Sequence, residues 1–247
     1  MSRVDQALVE RGLCDSREKA RRAVMAGSVR INGQTARKPS DTVRTGDELA
    51  LTAQEKYVSR GGHKLEKALR EFPVDPTGAR VVDLGASTGG FTDCLLQHGA
   101  ARVFAVDVGH GQLAWKLRQD TRVTVMDRTN ARTLEASAFP QPFEPLDLAV
   151  IDCSFISLSK LLPAAAALLR PGARIVALIK PQFEAGRDEA DRGEGVITDP
   201  AVHQRVLQEL ESFVGTLAGL RWGPVLESPL LGPAGNKEFL VLIEKDR

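Results

Sequence analysis

Apolar positions recur along this chain at two different spacings, and the change of spacing divides it. Near the front, Val4, Ala7 and Leu8 fall at helical intervals, and Gly12 is placed to end that helix. A second helix is predicted from Asp15 or Ser16, with Glu18 at capping-box distance from Asp15, as far as Gly27. Ala20, Ala23 and Val24 give it an inward face, and Arg17, Lys19, Arg21 and Arg22 crowd the other side. Residues 28–33 then alternate like a strand entering a turn, and 43–51 read as a tight turn followed by a strand. Past residue 60 the pattern changes. Leu65, Leu69 and Phe72 predict a helix that Pro73 and Pro76 stop, and short apolar runs follow at 80–84, 101–107, 122–127, 146–152 and 174–180. An amphipathic helix over 201–217 and a final strand pair, 223–229 and 238–243, complete the series.

The strand ends carry the chemistry. Arg80-Val-Val-Asp-Leu-Gly-Ala-Ser-Thr-Gly-Gly-Phe-Thr92 takes an apolar strand into an acidic, glycine-rich turn and straight on into a helical pattern. Gly85, Gly89 and Gly90 remove side chains that would keep a ligand off the backbone, which points to a nucleotide-like cofactor. Phe91 and Thr92 stand where a phosphate-binding loop needs Lys and Ser/Thr, so an NTPase is disfavoured. The G-x-x-x-G-G spacing and the nearby Asp83 also argue against a pyrophosphate. A cationic nucleoside fits better, and S-adenosylmethionine is one: a sulfonium, a ribose that wants a carboxylate, and an adenine that wants an apolar slot. Asp83, Asp107 and Asp127 end three successive strands, at the sheet edge where open α/β folds bind ligands. The alternative for any one of these acids is that it caps the following helix. The fourth strand ends in Asp152 and the fifth in Lys180, a candidate base, while Lys64 lies in the first turn of a helix, a poor place for a cation. Glu238 opens the last strand and could pair with either lysine.

At 247 residues the chain can hold one α/β domain and a small appendage. The net charge of +1 is uninformative, but its distribution is not: residues 1–60 carry 12 Lys/Arg against 8 Asp/Glu, which makes the front end basic. Cys14, Cys94 and Cys153 are odd in number and lack metal-ligand spacing, as expected of buried thiols in a reducing cytosol without a metal site. No apolar stretch suggests a signal peptide or a membrane span, so a soluble, cytoplasmic protein is expected.

Residues 1–51 resemble the S-four type RNA-binding domain, through Arg3-Val-Asp5, Ser16-Arg17, Ala20, Gly27-Ser-Val-Arg-Ile-Asn-Gly33 and Gly46-Asp47. Such a module binds structured RNA by shape and phosphate contacts, and Arg3, Arg17, Lys19, Arg21, Arg22 and Arg30, with Arg60 beyond it, are the expected RNA contacts. The whole chain resembles the hemolysin A/TlyA family of ribosomal RNA 2′-O-methyltransferases. The carriers are Val58-Ser-Arg-Gly-Gly-His-Lys-Leu65, the 83–92 turn with Ser87 and Phe91, Asp107-Val-Gly-His-Gly-Gln-Leu-Ala-Trp115, Arg128-Thr-Asn-Ala-Arg132, Asp152-Cys-Ser-Phe-Ile-Ser157, Lys180-Pro-Gln-Phe-Glu184 and Gly235-Asn-Lys-Glu238.

The resemblance implies an α/β fold with a Rossmann-like class I methyltransferase sheet and an antiparallel C-terminal strand, preceded by a small α+β RNA-binding domain. It divides the chain into residues 1–51, a linker at 52–58 and an FtsJ-like domain at 59–247. It also implies a catalytic tetrad of Lys64, Asp152, Lys180 and Glu238, with S-adenosylmethionine held by Asp83, Gly85, Ser87, Gly89, Gly90, Phe91, Asp107 and Asp127. Ribosomal RNA within ribosomal subunits is the implied partner, and a cytidine the implied target. One departure is visible: several relatives carry Arg-Ala-Trp-Val in the linker, and this chain has Glu55-Lys-Tyr-Val58. The rival readings are a base methyltransferase of the same fold, a non-catalytic RNA-binding module and a membrane-active hemolysin. The Asn/Asp-Pro-Pro-Tyr/Phe box of many amino methyltransferases is absent after the fourth strand, which favours a sugar oxygen over a base.

Overall fold

The computed structural model describes residues 1–25, 27–52, 56–186, 189, 193 and 195–247. It separates into two compact units, Met1–Lys56 and Tyr57–Arg247. The expected linker straddles that division. Tyr57 is buried in the second unit's core and the Val58 amide is bound there by Asp93, whereas 53–55 lie outside the described residues.

The first unit is built from β1 (Ser2–Arg3), α1 (Val4–Glu10), α2 (Arg17–Met25), β2 (Val29–Ile31), β3 (Gln34–Thr35), β4 (Thr42–Val43) and β5 (Leu49–Leu51). Gly12 ends α1 with φ +70°, as its placement predicts. Ser16 caps α2, accepting from the Lys19 amide at 3.2 Å, while Asp15 pairs with the Lys19 ammonium instead. Asn32 and Gly33, both at positive φ, form the two-residue turn that joins β2 to β3. Val4, Leu8, Ala20, Val24 and Val29 close a small core between the helices and the strands.

The second unit begins with α3 (Gly61–Glu71) and then alternates: β6 (Arg80–Leu84), α4 (Gly90–Gln97), β7 (Arg102–Val106), α5 (Trp115–Arg118), β8 (Val123–Met126), β9 (Leu146–Ile151), α6 (Leu162–Ala167), β10 (Leu169–Ile179) and α7 (Pro181–Glu184). It ends with α8 (Pro200–Thr216), β11 (Leu220–Glu227) and β12 (Phe239–Lys245). The seven strands lie in the order β11-β12-β10-β9-β6-β7-β8. The five from β10 to β8 run parallel, and β12 is antiparallel to both of its neighbours.

The central strands are predominantly apolar because helices cover both faces, and residues alternating along each strand feed two separate cores. Strand order reverses between β6 and β9, which opens a crevice at their carboxyl ends. The loops after β6, β7, β9 and β10 all emerge at that edge. β10 is longer than its apolar run suggests, because Leu169 already pairs with Leu146 and the register shifts before Arg174.

Candidate active site

Two lysines meet two acids at this edge. Lys64, on the first turn of α3, has 7% of its surface exposed, and its ammonium lies 2.5 Å from Glu238 Oε2. Glu238, only 1% exposed, stands just before β12, the antiparallel strand that lies beside β10. The poor helical position of Lys64 is therefore compensated by an acid 174 residues away in sequence. Lys180 follows β10 and Asp152 follows β9, so parallel pairing of these strands brings their ends together. Lys180 Nζ lies 2.5 Å from Asp152 Oδ1 and donates to Ser154 Oγ at 3.0 Å. Of the two partners open to Glu238, the fold selects Lys64.

Lys64, Asp152 and Lys180 face a cavity of about 470 Å³ whose wall also includes Gly85, Ser87, Gly90, Phe91 and Arg60. A second cavity of about 330 Å³ shares Gly85, Ser87, Asp152 and Ser154 with the first, so the two are parts of one groove. Its further wall is Asp107 with the apolar Val106, Val108, Ala131 and Ile156. Asp107 accepts from the Ser87 amide at 2.8 Å and from the Gly109 amide at 2.7 Å. It thereby ties the glycine turn to the loop after β7, and each oxygen keeps a further lone pair for a ribose hydroxyl.

The other expected cofactor residues fall elsewhere. Asp83 has no exposed surface and lines neither cavity; one oxygen accepts from Thr92 Oγ1 at 2.6 Å, and burial pushes its carboxyl up to about 7. It lies beneath the turn that it supports through Thr92. Asp127 also lies outside both cavities, accepting from the Gly111 amide at 3.0 Å and the Arg118 guanidinium at 2.7 Å. The Gly111 bond, reinforced by Arg118, holds its carboxyl below the usual range.

The glycines serve packing at least as much as ligand access. A Cβ on Gly85 would lie 2.7 Å from the Asp152 carbonyl oxygen, and one on Gly90 would lie 2.3 Å from Ser59 Oγ. Gly89 faces Leu113 and Leu117, away from the groove.

The expected RNA contacts divide in the same way. Arg3 and Arg17 both hold the fully buried Asp5, at 3.0 and 3.2 Å, so they fasten the first unit together, while Lys19 pairs with Asp15 just before α2 and Arg22 with Glu18 on α2. Among the described residues, the side chains of Arg21 and Arg30 make no ion pair. Arg60 donates to the Leu231 carbonyl at 3.1 Å at the rim of the larger cavity.

Three neighbours of the site have no role in the sequence-based expectation, although all lie inside the family's motifs. They are Ser154, the partner of Lys180; Phe155, 90% exposed at φ +63°; and Glu184. Sequence carries no signal for Phe155, because a strained backbone angle is visible only after folding.

A seven-stranded sheet with one antiparallel strand near its edge, a glycine turn after its central strand and an acid after the next defines a class I methyltransferase. The chain belongs to the FtsJ-like methyltransferase family, whose profile matches residues 57–245, and residues 2–49 match the S4 domain. It is 46% identical to the 16S/23S rRNA (cytidine-2′-O)-methyltransferase TlyA of Mycobacterium tuberculosis, over 97% of this chain and 88% of that one. Hemolysin A of Brachyspira hyodysenteriae is 39% identical over 96% of this chain and 98% of its own. A solved Streptococcus thermophilus structure that carries a hemolysin name superposes with a TM-score of 0.74 at 46% identity, covering 99% of this chain and 88% of that one. The protein is an S-adenosylmethionine-dependent methyltransferase. The groove fits that cofactor: the apolar wall suits a nucleoside, and the Asp107 carboxylate, which is held by backbone amides, suits ribose hydroxyls and a positive charge. Among the described residues, no helix is long and apolar enough to cross a membrane.

Proposed function

We propose that this protein methylates a ribose 2′-hydroxyl of ribosomal RNA, with ribosomal subunits as substrate, in the cytoplasm. The observation that carries this reading is the pair of lysine–acid contacts, Lys64 with Glu238 and Lys180 with Asp152, beside the cavity that adjoins the nucleoside groove. The name of the mycobacterial relative extends it to a cytidine target.

When bound, S-adenosylmethionine supplies a methyl group on a sulfonium, already a good leaving group. The protein therefore has two tasks, to align the attacking oxygen and to manage its proton. Alignment alone can contribute roughly 7–11 kcal/mol. Asp107 holds the ribose of the cofactor, and the backbone around Gly85 and Ser87 forms the shared floor. Lys180 meets the 2′-hydroxyl, either taking its proton or steering its lone pair while water takes the proton, and Asp152 fixes the lysine. Lys64, locked by Glu238, orients the nucleotide from the other wall. Arg60 and the open arginines of residues 1–51, Arg21 and Arg30, hold phosphates. In this reading 1–51 is the RNA-binding domain, 52–58 the connection and 59–247 the catalytic domain.

The test is transfer of labelled methyl to purified ribosomal subunits, followed by digestion to nucleosides. Added mass of one methylene is expected on ribose; the same gain on a base, or no transfer at all, overturns the reading.

A further inference from the structure

Glu184 is a partly buried carboxylate that the chemistry above does not use. It ends α7, one turn after Lys180, and burial pushes its carboxyl above the usual range. Both oxygens are spent on the other site loop: Oε2 accepts from Ser157 Oγ at 2.6 Å and Oε1 from the Leu158 amide at 2.8 Å. Ser157 in turn caps the short 3-10 turn Leu158–Lys160, accepting from the Ser159 amide at 3.1 Å.

The segment between Asp152 and Leu158 is thus held at both ends by the segment that follows β10. Lys180 grips Asp152 and Ser154 at one end, and Glu184 grips Ser157 and Leu158 at the other. Between the grips lies Phe155 at φ +63°, its ring tilted against Phe183 at 4.9 Å. An aromatic residue in the left-handed region persists only where its surroundings over-determine it. The free ends of a loop would not do so; two clamps do.

We propose that Glu184 is a positioning residue for methyl transfer: by clamping Ser157 and Leu158 it fixes the strained turn that presents Asp152 and Ser154 to Lys180. It touches neither substrate nor cofactor and acts only through this loop. The inference rests on the proposed function and extends it.

The test uses the full chain with labelled cofactor and ribosomal subunits, in wild type, Glu184→Ala, Glu184→Gln, Ser157→Ala and the Glu184→Ala/Ser157→Ala double variant. Small misplacements of reacting groups are costly, so Glu184→Ala is expected to lower kcat about ten- to a hundred-fold. Its S-adenosylmethionine Kd, read by calorimetry, should stay within about twofold. Glu184→Gln keeps an acceptor for the Leu158 amide and a polar partner for Ser157, so it should recover most of the missing rate. Ser157→Ala should lose less than Glu184→Ala, and the double variant no more than Glu184→Ala, because both changes open one clamp.

Wild-type kcat in Glu184→Ala, additive losses in the double variant, or parallel collapse of cofactor affinity and Tm in both single variants would overturn the proposal. If Glu184→Ala fails to fold, Ser157→Ala decides, and wild-type kcat there also overturns it. Wild-type protein that puts no methyl on ribose defeats the proposed function, and this inference with it; a normal wild type with an indifferent Glu184→Ala defeats the inference alone.

Discussion

Lys64 and Lys180 in the second unit are nearly buried, and each is matched by one acid delivered from a distant part of the chain. Arg21 and Arg30 in the first unit, like Arg37, Lys38 and Arg44, make no ion pair among the described residues, whereas Lys19 and Arg22 are matched locally and Arg3 and Arg17 share Asp5. A buried ion pair must have good geometry, because an unmatched charge there is expensive, so it fixes atoms in place. Exposed cations hold little geometry, but they attract phosphate over a distance set by salt. One unit invests its positive charge in position and the other in attraction.

The sharpest break of that contrast is Lys180→Ala. Proton management and steering by a placed side chain are worth about 10²–10⁴-fold, so methyl transfer should fall by that order while calorimetry shows cofactor binding retained. Normal turnover would remove Lys180 from the chemistry. Glu238→Ala comes next: stranding Lys64 should cost about 3–5 kcal/mol of stability in chemical denaturation, as well as activity. The double change Lys64→Met/Glu238→Leu should recover the stability but not the activity, separating the two uses of the pair.

Asp5→Asn probes the one buried acid among the described residues of the basic unit. Hydrogen bonds to Arg3 hold its carboxyl below the usual range, with Arg17 assisting, so its contribution is present above the unfolded value and disappears as pH falls through the lowered one. A loss of about 1–3 kcal/mol at neutral pH, read from the first unit's melting, should shrink in acid. Arg21→Ala with Arg30→Ala should leave Tm unchanged and weaken binding to ribosomal subunits, and for every phosphate partner removed the salt slope should fall by about 1. An unchanged slope would move the RNA-binding surface elsewhere.

The last test falls on Asp83, a buried acid with no cation partner among the described residues. Its raised value of about 7 means that the fold prefers the neutral form, so its contribution is full in acid and is lost as pH rises through about 7. Asp83→Asn should flatten that part of the Tm–pH curve. An unaltered curve would show that Asp83 stays ionised in the folded protein.

Much of this was legible in the residues. The apolar runs, the glycine turn and the acids closing successive strands pointed to the sheet and the cofactor class, because strand period and turn chemistry are local properties. The cationic helix likewise announced a basic unit. Position beyond the local pattern was not legible. Asp83, Asp107 and Asp127 look alike in sequence, each an acid at a strand end, yet only Asp107 reaches the groove. The difference lies in which way each side chain leaves the sheet and what the next loop offers it: Thr92 takes Asp83, and Gly111 and Arg118 take Asp127. Arg3 and Arg17 read as phosphate contacts, and only folding shows that the carboxylate of Asp5 lies between them.

The residues alone set the periodicities, the turn that needs glycine and the basic front end, and through a family resemblance they named four candidate groups for the proposed chemistry. Folding alone sets which lysine takes which acid, that Ser154 joins Lys180, and that Glu184 holds Ser157 and Leu158. The physical reason is range. Helix and strand spacing are set within a few residues, whereas the Lys64–Glu238 contact joins groups 174 positions apart and exists only once β12 has docked against β10.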